Sequence, residues 1–228
     1  MLVVSAHPDD VDFGAAGTAA AFVDAGVEVA YCVVTDGEAG GDDRATARSD
    51  MADVRRSEQR AAAACVGVTD VTFLGHPDGR LQATIEVRRD ISRVIRRFRP
   101  QRVVAPSPER MWDRLFASHP DHLAAGEAAV AAVYPDARNP FAHPELLEEG
   151  LEPWSVRELW LMAYPEPTVA VDVTATFERK LEALRSHRSQ LAAGADLDAM
   201  VRPWGEQVAV AAGLPPGSVA EAFRRVPT

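Results

Sequence analysis

Cysteine is scarce in this chain, and the scarcity removes two function classes. Only two occur among 228 residues, Cys32 in an apolar run and Cys65 at the end of an alanine-rich segment, without the paired spacing of a thiolate metal centre. Both read as small buried hydrophobes, so neither a disulfide framework nor a cysteine-ligated metal is expected. Positive charge is also in deficit, with 24 Lys and Arg against 34 Asp and Glu and a net charge of −10. Such a surface repels phosphate backbones and anionic lipid, which argues against nucleic-acid or membrane partners and for a small neutral or cationic substrate. Long hydrophobic runs are missing too: no basic, apolar leader precedes the first strand, and the stretch from Gly14 to Val34 is interrupted by Asp24 and Glu28. A soluble, cytoplasmic protein is the expectation. Internal repeats and low-complexity tracts are lacking.

What is there is a chain with 47% hydrophobic residues, enough to bury one sizeable core. A single domain over 1–228 is expected, with 193–228 as a helical extension. Segments 2–5, 27–35, 71–74 and 102–105 read as strands; 15–25, 51–66, 85–98 and 123–133 read as helices, the first ended by Gly26. Residues 156–163 and 168–173 look like an antiparallel pair of edge strands, and 175–191 like a helix. This β-α alternation predicts an α/β fold, a Rossmann-like, mostly parallel sheet with helices on both faces and ligands at the carboxyl ends of its strands. The polar loop 37–50, with three glycines and six charged residues, is long enough to form a site rim. In 85–98, Ile91, Val94, Ile95 and Phe98 make an apolar stripe, so the arginines opposite read as a solvated face and not as a phosphate site.

Two clusters carry chemistry. His7-Pro8-Asp9-Asp10 follows the first strand, and His119-Pro120-Asp121-His122 follows the fourth. Either alone has an ordinary reading as a helix start, with an aspartate or Ser118 as cap and proline restricting the turn. That reading accounts for one carboxylate, not for two and a histidine. A catalytic zinc ion takes three nitrogen or oxygen ligands and keeps a fourth position for water, whose pKa falls from about 15.7 to roughly 7. His7, Asp10 and His122 supply such a set. Asp9 is then the natural general base. His119, one turn before His122, is placed to stabilise an oxyanion or protonate a leaving amine, with Asp121 orienting its imidazole.

Further motifs follow in order: Gly14 and Gly17-Thr18, Thr35-Asp36-Gly37-Glu38, Arg55 to Glu58, Phe73-Leu74-Gly75 with Pro77-Asp78-Gly79, and His187-Arg188-Ser189-Gln190. Together with the two clusters these resemble the LmbE-like or PIG-L family of zinc-dependent N-acetylglucosamine deacetylases, over most of the first 190 residues. The resemblance implies zinc on His7, Asp10 and His122, the base at Asp9 and an electrophilic or acid histidine at His119. It also turns Arg55, Asp78 and Glu38 toward substrate contact. By local rules Arg55 and Glu58 are an intrahelical ion pair and Asp78 a turn residue. For His187 it leaves a structural and an intersubunit role open, and a homo-oligomer with them. Trp112 and Phe116 either line the pocket or plug the core. Iron(II), cobalt or manganese suit the same donors as zinc.

Rival readings remain. Within the hydrolases, an amidase acting on a thiol conjugate or another N-acyl compound uses the same residues. A non-haem iron oxygenase would use two histidines and one carboxylate, but that triad belongs on an all-β barrel and leaves one of Asp9 and Asp10 without a role. A metal-dependent carbohydrate-binding module would need neither Asp9 nor His119.

Overall fold

A computed structural model describes residues 1–41, 45–192 and 194–228. Of the rim 37–50, residues 42–44 lie outside the described residues, as does position 193 at the start of the expected extension.

The chain begins with β1 (Leu2–Ser5), all four residues of which are buried, as expected of a parallel strand covered on both faces. There follow α1 (Asp10–Gly14), α2 (Ala16–Asp24), β2 (Ala30–Thr35), α3 (Arg48–Cys65), β3 (Asp70–His76), α4 (Ile85–Phe98), β4 (Arg102–Pro106), α5 (Pro120–Ala131), α6 (Pro144–Glu148), β5 (Glu158–Met162), β6 (Val169–Asp172), α7 (Phe177–Arg185), α8 (Leu197–Ala211) and β7 (Ala220–Pro227). The strand order is β3-β2-β1-β4-β5-β7-β6, parallel from β3 to β5 and antiparallel at β7 and β6. The predicted α/β sheet with antiparallel edge strands is therefore present. The chain leaves β1 for β2 on one side and later places β4 on the other, so a crevice opens between the carboxyl ends of β1 and β4.

Side-chain alternation divides the core. Leu2 and Val4 pack with Ile91 and Ile95 of α4 and Ala125 and Ala129 of α5 on one face, while Val3 and Tyr31 meet Ala16, Ala19 and Ala20 of α2 and Ala62 of α3 on the other. A smaller cluster under α7 and α8 joins Phe177, Leu181 and Val201 to Val219.

Two readings are corrected. Segments 156–163 and 168–173 do not pair with each other, because β7 lies between β5 and β6. The tail is accordingly helix and strand, not helical throughout: β7 pairs Leu159 with Val226 and Val171 with Glu221. A third concerns α4, where the solvated face excludes Arg96. That side chain is buried and donates to the carbonyls of Asp136, Asn139 and Ala142, fastening the segment that returns toward β5.

The strand β7 also completes α2. No side chain of its own caps that helix at Ala15, and Glu221 instead accepts from the N–H groups of Gly17 (3.1 Å) and Thr18 (2.8 Å). Lys180, the only lysine in the chain, bonds to Glu221 and to the Phe13 carbonyl at 2.7 Å. Among the described residues no helix is long and apolar enough to cross a membrane.

Candidate active site

The two histidine clusters converge at the β1–β4 crevice. After β1 the chain turns through Asp9 with φ at +97°, a region that side-chain-bearing residues avoid and that costs about 1–3 kcal/mol. The turn starts α1 and is fixed locally by the His7 N–H donating to Asp10 Oδ2 at 2.8 Å. After β4 the chain enters α5 with Pro120 in its first turn, and the His119 ring caps the helix through Nδ1, which accepts from the Asp121 N–H at 3.2 Å. Gly126 lets α5 sit against β4, since a Cβ there would lie 2.5 Å from the Pro106 carbonyl oxygen. This contact sets His122 beside the first cluster.

Asp10 joins the clusters. Its Oδ2 is 3.5 Å from His7 Nδ1 and its Oδ1 is 2.9 Å from His122 Nε2. The other His7 nitrogen, Nε2, faces Asp78 Oδ1 at 3.1 Å and Asp121 Oδ2 at 3.3 Å. Two overlapping groups can hold a cation: ligand atoms of His7, His119 and His122 lie within 4.8 Å of one another, and so do those of His7, Asp78 and Asp121. Because Nε2 donates to the carboxylates, Nδ1 is the imidazole atom left with a free lone pair, and it points toward Asp10 and the His122 side. Asp78 and Asp121 then act as outer partners that fix the ring and raise its basicity. Neither group includes Asp10, which bridges His7 and His122 through its two oxygens; His7, Asp10 and His122 are of the donor types a divalent cation takes.

A cation at His7 Nδ1 would take the place of a proton there, because the surrounding carboxylates favour a charged ring. Burial opposes charge on His7, but bonds from Asp10, Asp121 and Asp78 overcome it and push its pKa up to about 12. Burial likewise disfavours a charged Asp10, yet His122 and His7 hold it well below the usual carboxylate range. Asp78 is desolvated and still falls to about 2, chiefly through its bond to His7. Asp9 behaves differently: burial and the neighbouring Asp10 charge raise it to about 6 despite Arg55. His119 is shifted down, first by burial and then by repulsion from His7 and His122. One carboxyl is thus shifted toward neutrality and one imidazole toward its neutral form.

The surroundings revise several roles. Asp121 turns its carboxylate away from His119, accepting instead from the N–H groups of Gly79 (2.7 Å) and Leu81 (3.2 Å) and reaching His7. It orients His119 only through its backbone N–H. Arg55 is 4% exposed and is not free for substrate: it donates to the Pro8 and Gly37 carbonyls and to Asp9 Oδ2 at 2.9 Å. It does not pair with Glu58, which instead accepts from the Ser189 N–H (2.8 Å) and hydroxyl (2.7 Å). Asp78 accepts from the Ala39 N–H, and Glu38 from the Asp78 N–H and Arg48. The three residues expected at the substrate are thus engaged by protein partners. Trp112 and Phe116 are exposed, so neither plugs the core.

Sequence reasoning did not assign Gln59 or Asp12. Gln59 Oε1 accepts from the strained Asp9 N–H at 2.7 Å, and its Nε2 donates to Asp12 Oδ2 at 2.9 Å. His187 Nε2 meets the same Asp12 oxygen at 2.7 Å. The three side chains are almost wholly buried. The available signal was spacing, since Gln59 lies one turn beyond Arg55 on α3 and both point at the Asp9 turn.

The cleft above these residues measures about 640 Å³ and is lined at one end by Asp9, Asp10 and His122. The family model described as PIG-L, GlcNAc-PI de-N-acetylase, matches residues 2–133. The chain is similar to the diacetylchitobiose deacetylase of Thermococcus kodakarensis, with 34% identity over 83% of this chain and 69% of the relative. It is also similar to a probable N-acetyl-α-D-glucosaminyl L-malate deacetylase 2 of Bacillus cereus, 32% identical over 83% of each chain. Among solved structures, the N,N′-diacetylchitobiose deacetylase of Pyrococcus horikoshii superposes with a TM-score of 0.90 and 32% identity, covering 99% of this chain and 83% of that one.

Proposed function

Because this chain belongs to the PIG-L family, we propose that it removes the N-acetyl group from an N-acetylglucosamine-type sugar or glycoconjugate by hydrolysis that depends on a divalent cation, with zinc as the ion. The observation that carries the reading is the Asp10 carboxylate, which meets His7 with one oxygen and His122 with the other while Asp9 stands beside it on Arg55. His7, Asp10 and His122 would hold the ion, which when bound supplies Lewis acidity to the amide carbonyl and lowers the pKa of a water.

The protein's own groups supply the rest. Arg55 occupies Asp9 Oδ2, so Oδ1 is the oxygen that takes the proton from the attacking water. As the carbon–nitrogen bond breaks, Asp9 returns that proton to the leaving amine, and the products are acetate and the free amino sugar. His119 acts as a neutral donor. Its Nδ1 accepts from the Asp121 N–H, which assigns the ring proton to Nε2, and a second proton would disrupt that cap. The Nε2–H therefore steadies the developing oxyanion, and Asp9 supplies the proton to the leaving group.

The whole chain, 1–228, serves this site as one domain, because β7 completes the sheet and caps α2. A cytoplasmic setting accords with the two free thiols, Cys32 and Cys65. The test is metal content and amine release from a panel of N-acetylglucosamine glycosides, comparing wild type with Asp9→Asn. Equal, stoichiometric metal in both, with release lowered by about 10²–10⁴ in the variant, is the expected result. Metal-free protein that still hydrolyses these amides would overturn it.

A further inference from the structure

The cleft that begins at Asp9, Asp10 and His122 continues well past them, and its far wall has a different chemistry. That wall is built by Met111 and Phe116 after β4, Met162 at the end of β5, and Met200, Trp204 and Val208 on α8. Phe116 and Trp204 stack with ring centroids 6.4 Å apart and an interplanar angle of 28°, and Arg114 lies over both rings. Both aromatic side chains remain exposed to the opening, Phe116 by 68% and Trp204 by 39%.

Apart from Arg114, whose guanidinium lies over the two rings, the polar side chains in the same wall are spent. Tyr164 donates its hydroxyl to Glu109 at 2.7 Å, and Ser107 accepts from the Glu109 N–H at 3.0 Å. Lys180 and Glu221 hold each other, and Glu221 also caps α2. A second sugar placed there would find rings for its C–H faces but few partners for its hydroxyls, and each unmatched hydroxyl carries a desolvation cost. An alkyl or aryl group would bury against Met, Val and aromatic surface without that cost.

We infer that the cleft beyond the catalytic carboxylates is an apolar subsite, and that the substrate carries an alkyl or aryl group within reach of its N-acyl amide. This rests on the amide-hydrolase reading. The volume, about 640 Å³, lies within the range of about 300–1,000 Å³ usual for small-molecule sites. The apolar group can enter from either side of the scissile bond, as the acyl chain or as the glycosidic substituent.

The test measures kcat/KM for amine release by the metal-loaded enzyme on N-acetylglucosamine, its β-phenyl glycoside, N-octanoylglucosamine and N,N′-diacetylchitobiose. We expect one or both apolar substrates to exceed N-acetylglucosamine by about tenfold or more, with diacetylchitobiose gaining less. The phenyl arm locates the group on the glycosidic side and the octanoyl arm on the acyl side. Trp204→Ser brings the apolar-to-unsubstituted ratio close to one, and Trp204→Phe keeps most of it. Ratios near one in wild type, a gain for diacetylchitobiose as large as for the apolar compounds, or a ratio untouched by Trp204→Ser would each overturn the subsite. If metal-loaded enzyme releases amine from none of the four, the hydrolase reading fails by itself. Calorimetric binding of the same compounds then decides the subsite: tighter binding of an apolar compound, lost in Trp204→Ser, supports it, and equal binding refutes it.

Discussion

Replacing Gln59 by leucine separates the placement of the base from the holding of a metal. The side chain is fully buried, with Oε1 on the Asp9 N–H at 2.7 Å and Nε2 on Asp12 at 2.9 Å. Leucine fills much of the space and makes neither bond. A buried donor or acceptor left without a partner costs about 1–3 kcal/mol. The Asp9 N–H loses its acceptor outright, whereas Asp12 keeps His187 at 2.7 Å. The loss of stability should therefore be about 2–4 kcal/mol. Part of it is recovered if Asp9 leaves φ +97°, because that conformation itself stores about 1–3 kcal/mol. Relaxation of this turn moves the Asp9 carboxylate, and a displacement of about 1 Å in a reacting group costs about 10²-fold in rate. His7, Asp10 and His122 make no hydrogen bond to Gln59, so metal content should stay at the wild-type level. The assays are urea unfolding, metal analysis, and separate determination of kcat and KM for amine release. The expected pattern is a fall in kcat of about 10²-fold with KM and metal little changed. Wild-type kcat in a variant that has lost the expected stability would refute the link between the strained turn and the base, as would loss of metal in step with activity.

Other outcomes follow from the same geometry. Glu221→Ala strands the Lys180 ammonium in a site where it is 5% exposed and uncaps α2, so unfolding free energy should drop by about 3–5 kcal/mol in urea titrations, and a drop under about 1 kcal/mol would contradict the pairing. Replacing the pair together, as Lys180→Met with Glu221→Gln, should recover part of the loss. Burial pushes the Cys32 thiol up to about 12, so at pH 8 it stays protonated and unreactive, and raising the pH toward 12 is what ionises it. Iodoacetamide at pH 8 followed by mass spectrometry should leave Cys32 unmodified in native protein and label it after unfolding in urea.

Much of the fold was legible because its signals are local. Val87, Ile91, Val94 and Ile95 recur at helical spacing, and α4 forms with the predicted bounds, Ile85–Phe98. The apolar run at Leu2–Ser5 could only be a strand covered on both sides. Errors concentrated at the far edge of the sheet. A short run such as 168–173 announces that it is a strand but not which strand it joins, and 220–227 carries alternating Ala, Glu, Phe and Arg that gave no strand reading until β5 and β6 were seen on either side.

The sequence by itself determined the chemistry that gathers at the site: histidine and aspartate directly after β1 and again at the start of α5, on elements whose nature could be read from neighbouring residues. Tertiary structure alone decided what each polar side chain does there. Asp121 caps the loop at Gly79 and Leu81 and supports His7, Arg55 is drawn into the Asp9 turn, His187 reaches Asp12 across 175 positions, and Glu221 caps a helix at Thr18, 203 positions earlier. The reason is physical. Hydrophobic period and turn chemistry act over a few residues and fix which segments become strands and helices. A buried carboxylate or guanidinium must instead be satisfied by whatever the assembled sheet brings within 3 Å, and strand order settles that choice.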